Sequence, residues 1–267
     1  MKPIYEPKGA AKEYCDFAVN IYTGCNHGCL YCYAPRILHK TKEQFAAVEP
    51  RKGIVDALKK QIVKEGIKER EIQLCFTCDP YPADIDTTVT RQVIEVIKNS
   101  GNHVRILTKG GTRALRDFDL LDGGDWFGVT YAGYIDPHND DHSLAFFAPE
   151  SEPNASSPSE RLVSLERAYN MGIKTWVSME PIINAKDAKL LISHGDYIGV
   201  HKIGKLNYHK PEDFGFDPIN WHDFGHECER LCKLYHRNYY IKQALRAEME
   251  ENNEQIRRTR HGSNKSI

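Results

Sequence analysis

The sequence predicts an α/β protein: a parallel sheet assembled from six strand-helix units, followed by a C-terminal helical extension. Three observations carry this. Six short β-prone runs alternate with helical segments between Phe17 and Ile203, and such alternation builds parallel strands joined by right-handed crossovers. Beyond Lys210 the alternation gives way to a loop with Pro211, Gly215 and Pro218, an amphipathic helix from His222 to about Glu251, and a basic tail. The chain has 267 residues, 40% hydrophobic and 27% charged, which suits one α/β unit of roughly 200 to 250 residues with an appendage. The expected division is therefore 1–207 for the sheet and its lead-in, and 208–267 for the C-terminal loop, helix and tail.

In chain order, Cys15 reads as a small core residue and Phe17 to Thr23 (FAVNIYT) as the first strand. The strand runs into Thr23 to Arg36, TGCNHGCLYCYAPR. From Gln44 to Gly66 the apolar Val48, Ile54, Val55, Leu58, Ile62 and Val63 recur on one side, predicting a helix with Pro50 in its first turn and Gly66 at its end. Glu71 to Thr77 (EIQLCFT) is the second strand, leading through CDPYPADIDTT to a helix around Val89 to Lys98. His103 to Thr108 (HVRILT) is the third, followed by KGGTR and a helix to Leu121; Asp125 to Tyr131 (DWFGVTY) is the fourth. Residues 133–160 carry six acidic groups and no Lys or Arg. Their Pro, Ser, Asn and Asp content predicts a long loop, either a lid over one end of the sheet or a passive surface excursion. Arg161 to Met171 and Ala185 to Ser193 are helical, and Ile173 to Met179 and Tyr197 to Ile203 are the fifth and sixth strands.

Charge and composition narrow the classes. Thirty-six Lys plus Arg against 37 Asp plus Glu leave a net charge of −1, so bulk charge does not make this a polyanion binder. Residues 51–70, however, carry seven basic and three acidic groups, and the tail holds Arg257, Arg258, Arg260 and Lys265. No apolar run reaches the ~18 residues of a membrane span, and MKPIYEPKGAAKEY lacks the apolar stretch of a signal peptide. A cytoplasmic protein, in a host cytoplasm if viral, with no membrane partner is expected. Eight cysteines in such a chain point to metal or redox chemistry rather than disulfides.

Cys25, Cys29 and Cys32 are the centre of that chemistry. Spaced by three and then two residues in one loop, they offer three thiolates where an ordinary [4Fe-4S] cluster takes four, which leaves one iron open. A zinc hairpin would show two separated CxxC pairs or a Cys/His quartet; a non-catalytic zinc or nucleic-acid-binding module is the alternative class. His27, inside the loop, is either a fourth ligand or, as the favoured reading, a solvent-facing residue. Cys228 and Cys232 lie one helical turn apart. They either join Cys75 and Cys78 in a second metal site or sit in an apolar seam with Leu231, Leu234 and Tyr235. Functional groups of parallel α/β units gather where strands end, which singles out Thr77, Cys78, Asp79 and Tyr81; Thr108 and Lys109; Thr130 and Tyr131; Ser178 and Glu180; and Lys202 and Asn207.

The CxxxCxxC pattern with Tyr31 before its last cysteine resembles the signature of the radical S-adenosylmethionine (SAM) superfamily, and the likeness runs from Phe17 to about Asn207. It implies a partial (β/α)6 TIM-like barrel, a [4Fe-4S] cluster whose open iron chelates the amino and carboxylate groups of SAM, and an aromatic, Tyr31, near the adenine. FTCDPY, ILTKGG and the CLYCY of the loop are similar to the spore photoproduct lyase branch. That resemblance implies Thr77 and Asp79 beside the SAM methionine or ribose, Lys109 at its carboxylate and Thr130 against the cofactor. A lysine suits the carboxylate as a compact point charge. The branch's GGE-type segment for the SAM amino group is missing, and Asp79 stands as its substitute. The branch also uses a second-strand cysteine as hydrogen-atom donor. Strand alternation turns Cys75 and Thr77 one way and Phe76 and Cys78 the other; Cys78, at the strand end, is the candidate donor, and the alternative is that both cysteines pack as small core residues. The implied reaction is reductive SAM cleavage and hydrogen abstraction from a thymine-derived base in DNA, either as repair or as rearrangement of an amino-acid-modified thymine; the short lead-in before the cluster favours the second. A peptide or small metabolite is the alternative substrate, and a flavodoxin or ferredoxin is the implied electron donor.

Overall fold

The computed structural model describes residues 2–133 and 150–250. The basic tail and most of the acidic loop lie outside the described residues. The fold is α/β, with eight strands in an open, mostly parallel sheet, the partial-barrel class expected. The chain divides into two compact units, Met1–Thr130 with Tyr134–Val177, and Tyr131–Gly133 with Ser178–Ile267.

In the first unit β1 (Ile4–Tyr5), absent from the six-strand expectation, pairs antiparallel with β2 (Phe17–Val19). β3 (Glu71–Leu74), β4 (His103–Thr108) and β5 (Trp126–Thr130) follow in parallel register. Ile72 pairs with Val104, and Leu74 with Ile106, which in turn pairs with Phe127. All are fully buried. Each such side chain contributes ~1.5–3 kcal/mol, more than the ~0–1 kcal/mol of a typical surface ion pair, so this apolar row anchors the unit. In the alternate row Gln73, Arg105 and Trp126 are neighbours. There the Arg105 guanidinium lies 4.8 Å from the Trp126 ring and 5.2 Å from Trp176, and Glu71 accepts from Arg105 at 3.2 Å and from Trp126 Nε1 at 2.9 Å.

The helix expected over Gln44 to Gly66 is two. After α1 (Ala34–Ile37), α2 (Lys42–Ala46) starts with a Thr41–Gln44 capping box, and α3 (Ile54–Glu65) is separate. Between them Pro50 bridges Tyr22 antiparallel, and Thr23 and Arg51 donate backbone N–H groups to Glu49 and Ile21. Pairing with the chain entering the cysteine loop overrides the helical periodicity. α4 (Thr88–Asn99) matches expectation, and α5 (Pro158–Asn170) starts three residues earlier than expected, inside the acidic segment, where a Ser157–Glu160 capping box and Pro158 in the first turn begin it. Gly111–Leu120, expected as an α-helix, is 3-10.

β6 (Lys174–Met179) leads into the second unit, which holds α6 (Ala185–His194), β7 (Val200–Ile203), α7 (Trp221–Leu234) and β8 (Tyr239–Ile241). The single helix expected from His222 to Glu251 is therefore interrupted. α7 ends in a turn with His236 at φ +54° and Arg237 N–H on Cys232 C=O, and the β-prone Tyr239-Tyr240-Ile241 pairs in parallel with β7. Residues 243–250 are helical again. No helix among the described residues is long and apolar enough to cross a membrane.

Candidate active site

The cysteine loop is shaped by close approach. Cys25 N–H donates to Phe45 C=O at 2.9 Å, and a Cβ on Gly24 would collide with that same oxygen. Gly28 sits at φ +71°, where a Cβ would also meet Pro153 at 3.0 Å. Cys25, Cys29 and Cys32 are all free and half-buried. Burial pushes all three thiols up, Cys29 to about 12, against the pull of Lys109 on Cys29 and Cys32. As free thiols they are protonated at neutral pH, so loading a metal must displace their protons.

Zn–S bonds of about 2.3 Å would bring sulfurs to within about 4 Å of one another. Among the described residues the one set of three or more His, Cys, Asp or Glu ligand atoms within 4.8 Å of each other is His103, Asp122 and Asp125, and Lys98 Nζ already sits on both aspartates at 2.6 and 2.5 Å. Cys25, Cys29 and Cys32 do not form such a set. Cys228 and Cys232 are fully buried in α7 alongside Leu231, in an apolar seam, but Leu234 and Tyr235, expected in the same seam, are exposed, because they fall on the solvent side of the helix end.

His27 is not solvent-facing. It is 1% exposed; Arg113 Nη2 donates to its Nε2 at 2.9 Å, which leaves the proton on Nδ1, 3.6 Å from Asp79 Oδ2. Burial, with Arg113 and Lys109 and against Asp79, lowers its pKa to about 4. The neutral imidazole therefore ties the loop to its surroundings and has no nitrogen free for a metal.

Asp79 is the hub of those surroundings. It is 8% exposed; Oδ1 accepts from Tyr81 N–H (2.8 Å) and Thr108 Oγ1 (2.6 Å), and Oδ2 from Lys109 N–H (2.8 Å). Burial alone would raise this carboxyl, but His27 and these hydrogen bonds hold it below the usual carboxylate range. Its oxygens are committed to protein donors that join the loops after β3 and β4. Lys109 extends its ammonium to 5.6 Å from the Tyr31 ring centroid, so the two residues carried over for the SAM carboxylate and adenine are neighbours.

β3 ends at Leu74 because Cys75 turns to φ +64° and Asn20 Oδ1 accepts from the N–H groups of Phe76 and Thr77 at 2.8 and 3.1 Å. Simple alternation therefore does not govern 75–78. Cys75 is buried and Cys78 is half-exposed; burial, and then the neighbouring Cys78, raises the Cys75 thiol well above its ordinary range. Thr77 Oγ1 is buried without a hydrogen-bond partner, which leaves its hydroxyl available to a bound polar group. Thr130 ends β5, 4% exposed, its C=O accepting from Arg161 Nη1 at 3.1 Å. Sequence reasoning missed Tyr33, whose hydroxyl donates to Phe76 C=O at 3.0 Å; an aromatic directly after the last cysteine was its only signal. Arg113 and Arg161 had none, being one turn residue and one helix residue among many basic groups.

In the second unit Glu180 accepts from Lys242 and from Asn207 Nδ2 at 3.3 Å, Tyr131 donates to Asp187 at 2.8 Å, and Lys202 Nζ lies 5.8 Å from the Tyr240 ring.

An open sheet of parallel strands, with a three-cysteine loop after β2 and polar groups at the ends of β3, β4 and β5, defines a class. The chain belongs to the radical SAM superfamily, whose sequence model matches residues 19–184 and whose members use a [4Fe-4S] cluster and S-adenosylmethionine. It is 30% identical to an uncharacterized protein of Acidianus two-tailed virus over 66% of this chain and 60% of that one. It is 28% identical to an uncharacterized protein of Methanocaldococcus jannaschii over 68% and 65%. The chain thus spans less than two thirds of the length of either. Among solved structures, spore photoproduct lyase with bound AdoMet and dinucleoside spore photoproduct aligns with a TM-score of 0.63 at 15% identity, covering 88% of this chain and 78% of that one. Streptococcus suis SuiB bound to its precursor peptide SuiA aligns at 0.58 and 12% identity, over 88% and 51%.

Proposed function

We propose that this protein is a radical SAM enzyme acting on a thymine-derived base in DNA, by isomerisation of a modified thymine or by lyase-type repair. The observation that carries the reading is the gathering, in one unit, of three thiols with no fourth ligand in their loop, the Lys109–Tyr31 pair and the unpartnered Thr77 hydroxyl. When bound, the cluster supplies the electron that cleaves SAM to a 5′-deoxyadenosyl radical. Cys25, Cys29 and Cys32 would hold it. Lys109 would meet the SAM carboxylate, Tyr31 would pack by the adenine, and Thr77, Asp79 and Thr130 would line the cofactor, with Asp79 fixing Lys109 through its backbone. Cys78, the more exposed of the two thiols in the turn after β3, is the hydrogen donor in this reading, and a flavodoxin or ferredoxin the electron source. The lyase-like fold supports DNA; the SuiB-like fold supports a peptide as the second reading.

Lys109→Ala should retain the iron and bind SAM roughly 10- to 150-fold more weakly, the cost of a charge-assisted hydrogen bond of about 1.5–3 kcal/mol. Its backbone N–H still serves Asp79. Equilibrium binding of SAM to the reconstituted variant checks this, and unchanged affinity removes Lys109 from the site.

A base inside the site must leave its stack, while flanking phosphates meet cations. Lys52, Lys59, Lys60, Lys64, Lys68 and Arg70 are exposed on and beside α3, and the tail arginines are the other group. Affinity for DNA should fall with salt, and removing one cation that pairs with a phosphate should reduce the log-log slope by about 0.9 for duplex or 0.7 for single strands. Titrations with both strand forms, on the intact protein and on the Arg257/Arg258/Arg260→Ala variant, separate the two groups. Salt-independent binding, or none at low salt, rejects DNA in favour of the peptide.

A further inference from the structure

The end of the acidic loop is not a passive excursion. Residues 151–157 run along the cysteine loop: Leu30 N–H donates to Ser151 C=O at 2.9 Å, Asn154 N–H to His27 C=O at 3.1 Å, and Asn154 Nδ2 to Asn26 C=O at 2.9 Å. The strap then crosses to the Lys109 loop, where Ser156 N–H donates to Lys109 C=O at 2.9 Å and Ser156 Oγ to Gly110 C=O at 2.5 Å. Arg161 fastens it from beneath, donating from Nε to Ser156 C=O at 3.0 Å, from Nη1 to Thr130 C=O at 3.1 Å, and from Nη2 to Glu152. Glu152 and Arg161 are both 0% exposed, and Glu152 Oε1 has no hydrogen-bond partner.

A fully buried ion pair is a poor source of stability, because desolvation offsets most of the attraction and an apolar pair often serves as well. This one stands where its charge matters. The Leu30–Ser151 hydrogen bond sets the Cys29–Leu30 step against Ser151–Glu152. Burial raises the Glu152 carboxyl and the paired Arg161 guanidinium opposes that rise, and the two groups act on Cys29 in opposite directions. Cluster potentials follow local charge and hydrogen bonding to the sulfurs. We infer that Glu152, held by Arg161, is a positioning residue that seats the strap on the cysteine loop and sets the reduction potential of the cluster through its buried negative charge beside Cys29. This rests on the cluster reading proposed above.

The test is the midpoint potential of the reconstituted protein, followed by electron paramagnetic resonance during a redox titration, with iron content and apo-protein melting measured in parallel. Glu152→Gln keeps the shape and an acceptor for Arg161 but removes the charge, so its potential should rise. Glu152→Asp keeps the charge while shortening the side chain, and its potential should stay near wild type even where melting falls. A merely structural role gives the reverse order, with Asp more disturbed than Gln. E152Q/R161M, which removes both charges, should return most of the way, and it decides the matter if E152Q does not fold: a double variant far from the wild-type potential overturns the inference. So does an E152Q potential equal to wild type, or an E152D shift as large as that of E152Q. A wild-type chain that takes up no cluster overturns the cluster reading and this inference with it; a loaded wild type beside an unmoved E152Q overturns this inference alone.

Discussion

Cys29→Ala should yield a folded, colourless protein that neither assembles a cluster nor cleaves SAM. Among the described residues nothing replaces the missing sulfur. His27, the nearest ligand type in sequence, has Nε2 accepting from Arg113 and Nδ1 facing Asp79, and Cys75 and Cys78 belong to the turn after β3. Removing one of three thiolates leaves two, too few to hold a cluster whose remaining iron must stay open for the cofactor. The loop itself should survive, since its shape comes from Cys25 N–H on Phe45, Leu30 N–H on Ser151 and the Lys40 ammonium on Thr23 C=O at 2.8 Å. Iron and sulfide counts after anaerobic reconstitution, with circular dichroism of the apo form, check both halves. Cys25→Ala and Cys32→Ala should behave alike. A brown Cys29→Ala protein that still cleaves SAM would sink the assignment.

The second large effect is expected at Asp79. Asparagine keeps the shape but offers one acceptor oxygen where the carboxylate uses two, so an amide NH2 must face either the Lys109 N–H or the Tyr81 N–H and Thr108 hydroxyl. A donor left facing a buried donor costs about 1–3 kcal/mol, a sizeable share of the roughly 5–15 kcal/mol that holds a domain folded. Asp79→Asn should therefore lower the denaturation midpoint of the apo protein clearly. Because the loop after β4 loses its anchor, it should also weaken SAM binding more than Lys109→Ala does. Chemical unfolding and SAM titration of the same preparation separate the two losses. Wild-type stability would show that the hub contributes little, and wild-type SAM affinity would detach the Lys109 loop from the cofactor.

What could be read from the chain alone follows from local pattern. The three-cysteine loop, the strand at His103 to Thr108 and the helices at Thr88–Asn99 and Pro158–Asn170 are written in spacing and periodicity over neighbouring residues, and so is the α/β class. Contacts between distant segments were not legible. Glu49 to Arg51 pair with Ile21 to Thr23 and split a periodic helix, and Tyr239–Ile241 leaves a helical context to extend the sheet beside β7. A backbone partner elsewhere in the chain overrides local propensity, and only the fold supplies one. His27 is the sharpest case. Its place between two cysteines suggested a solvated loop, yet Arg113, 86 residues away, and Asp79 bury it, because a polar group taken out of water must find its hydrogen bonds within the protein. Local spacing was enough to single out the three sulfurs proposed to hold a metal. What holds them there came from the folded chain: a carboxylate hub at Asp79 and a buried charge pair at Glu152 and Arg161, whose partners are separated along the chain and meet only once the sheet has formed.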